Sequence, residues 1–160
     1  MEDKRLKKLF MYLKITIILV TGILVINLVS RFKIWRMNPQ NDSMLPPYPP
    51  GTKLLIDLKP SKLKRGDFII YKYKNKGRTG RIAALGGDEL EVKNYILFVN
   101  GKRSIHKIKK GYNIIPKKIP PGMIFVLNDN PDSKLPDSLV HGPIPANKVW
   151  ARVIMAIDFL

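Results

Sequence analysis

The sequence predicts a mainly β protein: one amino-terminal transmembrane helix followed by an antiparallel β-barrel or sandwich. Three observations predict it. Leu9 to Val29 is a run of 21 residues, mostly Ile, Leu and Val, with Lys14 as its only charge. Beyond Trp35, prolines at 39, 46, 47, 49 and 50 forbid a long helix. From Lys53 onward, short β-branched and aromatic segments alternate with Gly, Pro and Asn turn signals.

The anchor comes first. Met1 to Lys8 is polar and net positive and reads as a short tail, with the membrane segment at 9–30. At about 1.5 Å per residue such a segment spans roughly 30 Å, the thickness of a bilayer core. Lys14 lies near its amino end, where a long side chain reaches the interface. A buried core helix and a cleaved signal peptide are the other readings of such a run. The second is disfavoured, because Arg31, Phe32, Lys33 and Ile34 follow where a small-residue cleavage pattern would stand. Lys4, Arg5, Lys7, Lys8 and Lys14 on one side outnumber Arg31, Lys33 and Arg36 on the other. That bias places the amino terminus inside and residues 37–160 outside, as an extracytoplasmic domain.

Within that domain, strands are expected at 53–57, 67–73, 81–85, 89–93, 95–99, 112–115, 123–127 and 148–157. Residues 74–78 are expected as a hairpin connection, and Asn100-Gly101 is the strongest hairpin signal. Gly86-Gly87 and Pro120-Pro121-Gly122 break the chain between strands. No helix beyond the anchor is predicted.

The 160 residues include 29 Lys and Arg, 12 Asp and Glu, and no cysteine. A disulfide framework and thiolate metal sites are excluded. No metal cluster, phosphate loop or cofactor motif is present. So basic a chain suits nucleic acid, anionic lipid or wall polymer, or acidic partners. The charge is spread over many segments without a zinc-finger or RNP-like motif, which sets nucleic acid aside. Membrane lipid remains as a partner.

Four stretches carry possible chemistry: Ser43-Met44-Leu45-Pro46; Arg65-Gly66-Asp67 before an apolar strand; Arg81 to Asp88; and Asn128-Asp129-Asn130 followed by Asp137-Ser138. In this order, behind an anchor, they resemble the type I signal peptidases. Those are membrane-bound serine endopeptidases that remove signal peptides from exported proteins. The resemblance runs from Met1 to Ile157.

It implies a Ser/Lys dyad, in which a desolvated, uncharged lysine takes the serine's proton. Ser43 matches the nucleophile. Asn41 falls where some members place a side-chain donor to the oxyanion hole, with the Ser43 N–H as the other donor. Met44 is read either as part of the pocket wall or as ordinary packing. The lysine should precede Arg81, but Gly80 stands there, so the general base is absent. Arg81 is expected to pair with Asp129. Asp137 and Ser138 match the last box, with Leu139 in place of its arginine, and Ser133 is a poor match to the serine that orients the lysine. His141 and His106 are the remaining candidate bases, with exposed or packed histidines as the plainer reading.

The resemblance implies exported pre-proteins as partners. A dyad-deficient branch, the signal-peptidase-like proteins of some Gram-positive pilus loci, assists pilin assembly. This chain resembles it in lacking the lysine, which adds pilin subunits as partners and a non-catalytic role as the alternative function.

Overall fold

The computed structural model describes residues 2–108 and 117–157. They divide into two compact units, Met1–Lys33 and Ile34–Leu160.

The first unit is the helix α1 (Glu2–Arg31). Its span Lys4–Arg31 is long and apolar enough to cross a membrane. The apolar residues cover all sides of the helix and are exposed. Three of its polar side chains, those of Thr16, Asn27 and Ser30, bond back to the helix. Thr16 Oγ1 donates to the Tyr12 carbonyl at 2.9 Å and Asn27 Nδ2 to the Ile23 carbonyl at 2.9 Å. That local closure is what a polar side chain needs in a segment surrounded by hydrocarbon.

The second unit is built from antiparallel sheets. In chain order its strands are β1 (Phe32–Arg36), β2 (Lys53–Asp57), β3 (Phe68–Tyr73), β4 (Lys76–Leu85), β5 (Glu89–Lys93) and β6 (Ile96–Val99). They continue with β7 (Lys102–Lys107), β8 (Lys117–Lys118), β9 (Met123–Leu127), β10 (Ile144–Pro145) and β11 (Val149–Ala156). One sheet has the order β1-β2-β11-β3-β4-β9-β10, the other β7-β6-β5-β8. Strand β3 is buried on both faces. Ile70 joins a core with Met44, Leu54 and Ala151, while Ile69 and Tyr71 join another with Ile82, Val126 and Ile144. The third core, around Ala84, Leu90, Leu97 and Phe125, draws on strands of both sheets.

The hairpins follow turn chemistry more tightly than expected. Lys74 and Asn75 take φ of 47° and 60° and close a two-residue turn. β4 therefore begins at Lys76, five residues before the expected return strand, and Gly77 lies in the strand. Asn94-Tyr95 closes a similar turn, so Tyr95 precedes β6 instead of starting it. Asn100-Gly101 makes the hairpin its sequence signals. Gly86 is where backbones meet: a Cβ there would lie 2.9 Å from the Pro120 carbonyl oxygen and 3.0 Å from the Gly122 nitrogen.

Other elements were not anticipated. A one-turn helix α2 (Ser138–His141) corrects the expectation of no further helix. β7 was missed because its inward residues are Ser104 and His106, which give no apolar alternation. β1, β8 and β10 were missed as well. The strand expected at 112–115 lies outside the described residues.

Candidate functional site

Ser43 lies in the loop between β1 and β2, and the loop after β9 holds it in place. Asn130 N–H donates to the Ser43 carbonyl at 2.9 Å, and Asn130 Nδ2 donates to the Asp42 carbonyl at 3.2 Å. Ser133, the poor match to the orienting serine, donates its hydroxyl to Asp42 Oδ1 at 2.6 Å. The loop after β9 thus fixes the backbone on either side of the candidate nucleophile.

The side chain of Ser43 belongs to a closed ring. Its hydroxyl donates to Asn41 Oδ1 at 2.7 Å. That uses its only proton, so the 2.9 Å contact with Thr79 Oγ1 has Thr79 as donor. Thr79 Oγ1 in turn accepts from Asn41 Nδ2 at 2.7 Å. Each donor feeds the next acceptor, and such chains polarise one another. The Ser43 N–H also donates to Asn41 Oδ1, at 3.0 Å.

The two groups expected at the oxyanion hole both take part in this network. One N–H of the Asn41 amide goes to Thr79, and the Ser43 N–H goes to Asn41. Ser43 is 1% exposed. Met44 is fully buried and packs with Met37, Leu54 and Phe68. Of its two readings the structure takes ordinary packing.

Gly80 is on the other face of β4. In the β3–β4 register, Thr79 opposes Ile70 and Gly80 opposes Ile69. A Cβ at Gly80 would lie 2.5 Å from Val126 Cγ1 and 3.5 Å from Tyr71 Cε1. The strand alternates, so a side chain at 80 points away from the face where Thr79 meets Ser43. Thr79 is the site residue that sequence reading missed. A threonine in a strand has no chemical signature, and only the sheet register singles it out.

The remaining residues divide by role. Arg81 grips Asp129 through Nε, at 2.8 Å to Oδ1, and through Nη2, and donates Nη1 to the Gly66 carbonyl at 2.8 Å. This fork ties β4 to the segment after β9. Asp137 caps α2: Oδ1 accepts from Leu139 N–H at 2.9 Å and Oδ2 from Asn128 N–H at 3.1 Å. Burial pushes its carboxyl above the usual range, and those two bonds pull it back. Ser138 Oγ accepts from Val126 N–H at 2.9 Å. Asp137 and Ser138 thus close backbone donors at the end of β9.

The histidines are engaged elsewhere. His141 stacks on Tyr73 with ring centroids 4.2 Å apart, and its Nδ1 meets the Gly142 carbonyl at 2.8 Å. His106 Nδ1 meets Ser104 Oγ at 2.9 Å. Burial lowers the pKa of both. Neither is among the hydrogen-bond partners of Ser43. No group of three or more potential metal ligands exists among the described residues.

The family described as "Signal peptidase, peptidase S26" matches residues 10–157. A signal peptidase I of Bacillus caldolyticus is 29% identical over 137 residues, covering 71% of this chain and 74% of that protein. A signal peptidase IB of Staphylococcus aureus is 26% identical over 151 residues, covering 79% and 78%. The crystal structure of a signal peptidase I from Enterococcus faecalis V583 superposes with a TM-score of 0.46 at 22% identity, over 59% of this chain and 98% of that one.

Proposed function

We propose, on the premise that this chain belongs to the signal peptidase family, peptidase S26, that it binds exported polypeptides without cutting them. What supports the reading above all is the ring of Asn41, Ser43 and Thr79. A serine nucleophile needs a base to take its proton and free donors to hold the developing oxyanion. Here the Ser43 O–H points at a neutral amide oxygen, which is no base, and the Ser43 N–H and one N–H of Asn41 are engaged inside the network. Thr79 cannot serve as the base, because a hydroxyl has no accessible proton affinity near neutral pH. The position before Arg81, where the family resemblance puts lysine, is glycine and faces Val126.

In this reading α1 anchors the chain in the cell membrane with its amino terminus inside. The β-unit meets exported pre-proteins or pilin subunits as they leave the bilayer, and tethering raises its local concentration there. The retained framework, Arg81 on Asp129 and Asn130 on the Ser43 loop, keeps the family's architecture with altered chemistry.

The test joins cleavage to complementation. The purified full-length chain should leave a pre-protein with a small-x-small site intact. In a strain lacking the gene, Ser43→Ala should support function nearly as the parent does, once its expression and folding are shown to survive the loss of the ring hydroxyl. Cleavage that Ser43→Ala abolishes would overturn the reading and restore a peptidase with an unidentified base.

A further inference from the structure

The smaller sheet ends at β7, and among the described residues no strand pairs with its outer edge. Burial alternates along the strand. Arg103, Ile105 and Lys107 are exposed, while Ser104 is half-buried and His106 buried. The exposed three fall at alternate positions, and β7 bulges between Arg103, which pairs with Phe98, and Lys107, which pairs with Ile96. Ile105 is 81% exposed, more than any other large apolar residue described. Arg103 and Lys107, which flank it, make no ion pair among the described residues.

A cavity of about 930 Å³ lies along this strand, bounded by Tyr95, Ile96, Pro131 and Asp132. A second, of about 320 Å³, continues past Arg65 and Lys102. His106 lines both, and its Nε2 is buried with no hydrogen-bond partner. Cationic residues on an edge strand commonly guard it against pairing. A guarded edge has no use for an exposed isoleucine at its centre with a groove beside it. Cation, apolar and cation at alternate positions form a recognition pattern for a strand of opposite charge.

We propose that the outer edge of β7 binds an extended polypeptide segment with two acidic residues flanking an apolar one, in the pattern acidic-x-apolar-x-acidic. The segment adds a strand to the sheet through main-chain hydrogen bonds. Its carboxylates face Arg103 and Lys107 and its apolar side chain covers Ile105, each a cross-strand pair. Charge sets the register and the choice of partner. None of Arg103, Ile105 and Lys107 belongs to the Ser43 ring, and the proposal holds whether or not the chain cuts peptides.

The experiment uses the full-length chain in detergent and fluorescence anisotropy. The probe is a dye-labelled peptide with the core Asp-Thr-Val-Thr-Glu. Controls are the scrambled core Thr-Val-Asp-Glu-Thr, the parent core N-methylated at alternate amides, and inorganic polyphosphate. The parent peptide should bind at least about tenfold more tightly than either peptide control, and polyphosphate should not displace it at equal charge. The double variant Arg103→Glu, Lys107→Glu should reverse the preference, favouring Lys-Thr-Val-Thr-Lys. The single variant Ile105→Thr changes only an exposed side chain and should weaken binding severalfold. Equal binding of the scrambled or N-methylated peptide would overturn strand addition. Displacement by polyphosphate would make the edge a general polyanion site, and an unreversed preference in the double variant would remove Arg103 and Lys107 from recognition.

Discussion

Two buried polar clusters lie on opposite faces of β4, and they are satisfied to very different degrees. On the Thr79 face, the side-chain donors and acceptors of Asn41, Ser43 and Thr79 close on one another. On the Gly80 face, Tyr71 sits across from Arg78 in the β3–β4 register, with His141 at a ring-centroid distance of 6.3 Å. There Tyr71 Oη, Arg78 Nε and His141 Nε2 are all buried without a hydrogen-bond partner. A closed ring resists change, because removing any member strands the others. An open cluster tolerates deletion of a member, because nothing depends on it. The candidate nucleophile is in the closed one.

The sharpest way to break this comparison is Asn41→Ala. It removes the acceptor of two Ser43 donors and the donor to Thr79 at once. Each buried group left unpaired costs about 1–3 kcal/mol. A loss of about 3 kcal/mol is expected, roughly 10 °C in the thermal melt of the detergent-solubilised chain. Asn41→Asp keeps an acceptor for Ser43, and Thr79 can rotate to donate to the new oxygen, so it should restore most of that loss. Equal damage from both variants would mean that the ring contributes shape and not hydrogen bonds.

Gly80→Lys tests the other face. Its Cβ would lie 2.5 Å from Val126 Cγ1, on a stiff β-branched side chain in the core. Overpacking of this kind costs about 1–3 kcal/mol, and the amine would enter the Tyr71 face instead of meeting Ser43. The variant should be less stable than the parent and no more active on a pre-protein. Family-like turnover from this single change would show that β4 can place residue 80 beside Ser43, and the two-face picture would fail.

Much of the fold was legible in the sequence because it rests on periodicity and turn chemistry. The anchor, strands β2, β3, β5 and β9, and the Asn100-Gly101 hairpin all carry local signals. β7 did not, since charged and hydroxyl residues hide its alternation. The residues of the Ser43 corner were found by motif order, but not their geometry. Asn41 reads as a donor to a substrate, and the structure adds that one of its N–H groups bonds Thr79. That depends on which face of β4 each residue takes, a property of sheet register, and on Lys74-Asn75 closing the hairpin in two residues.

A smaller effect separates the clusters by pH. Burial lowers the pKa of His141 and His106 below the ordinary 6.5. A depressed folded-state pKa means the unfolded chain binds protons first. The contribution of these histidines is therefore present above about pH 6.5 and is lost as pH falls through their lowered values. Asp137 works in the opposite sense. Its raised folded pKa makes its contribution present below 3.8 and lost as pH rises through the folded value. The melting temperature should fall between pH 7 and pH 5, and His141→Gln with His106→Gln should flatten that slope. A slope unchanged in the double variant would assign the acid sensitivity to other groups.

The smallest effect is the most telling about the open cluster. Tyr71 is 1% exposed, its hydroxyl has no partner, and burial raises its pKa far above the ordinary value. An unpaired buried hydroxyl carries its desolvation penalty in the folded state without a compensating bond. Tyr71→Phe removes that penalty and leaves a gap of one oxygen atom, whose lost contacts offset part of the gain. The ring keeps its place against Ile82, Val126 and Ile144. The net change should lie within about 0.5 kcal/mol of zero, against a loss of about 3 kcal/mol for Asn41→Ala. Denaturant unfolding of the two variants under one set of conditions measures the contrast directly. A loss above roughly 1.5 kcal/mol in Tyr71→Phe would mean that the hydroxyl is satisfied after all, through a buried water shared with Arg78 or His141. The two faces of β4 would then be equally closed, and the argument that only the Ser43 face is locked would fall.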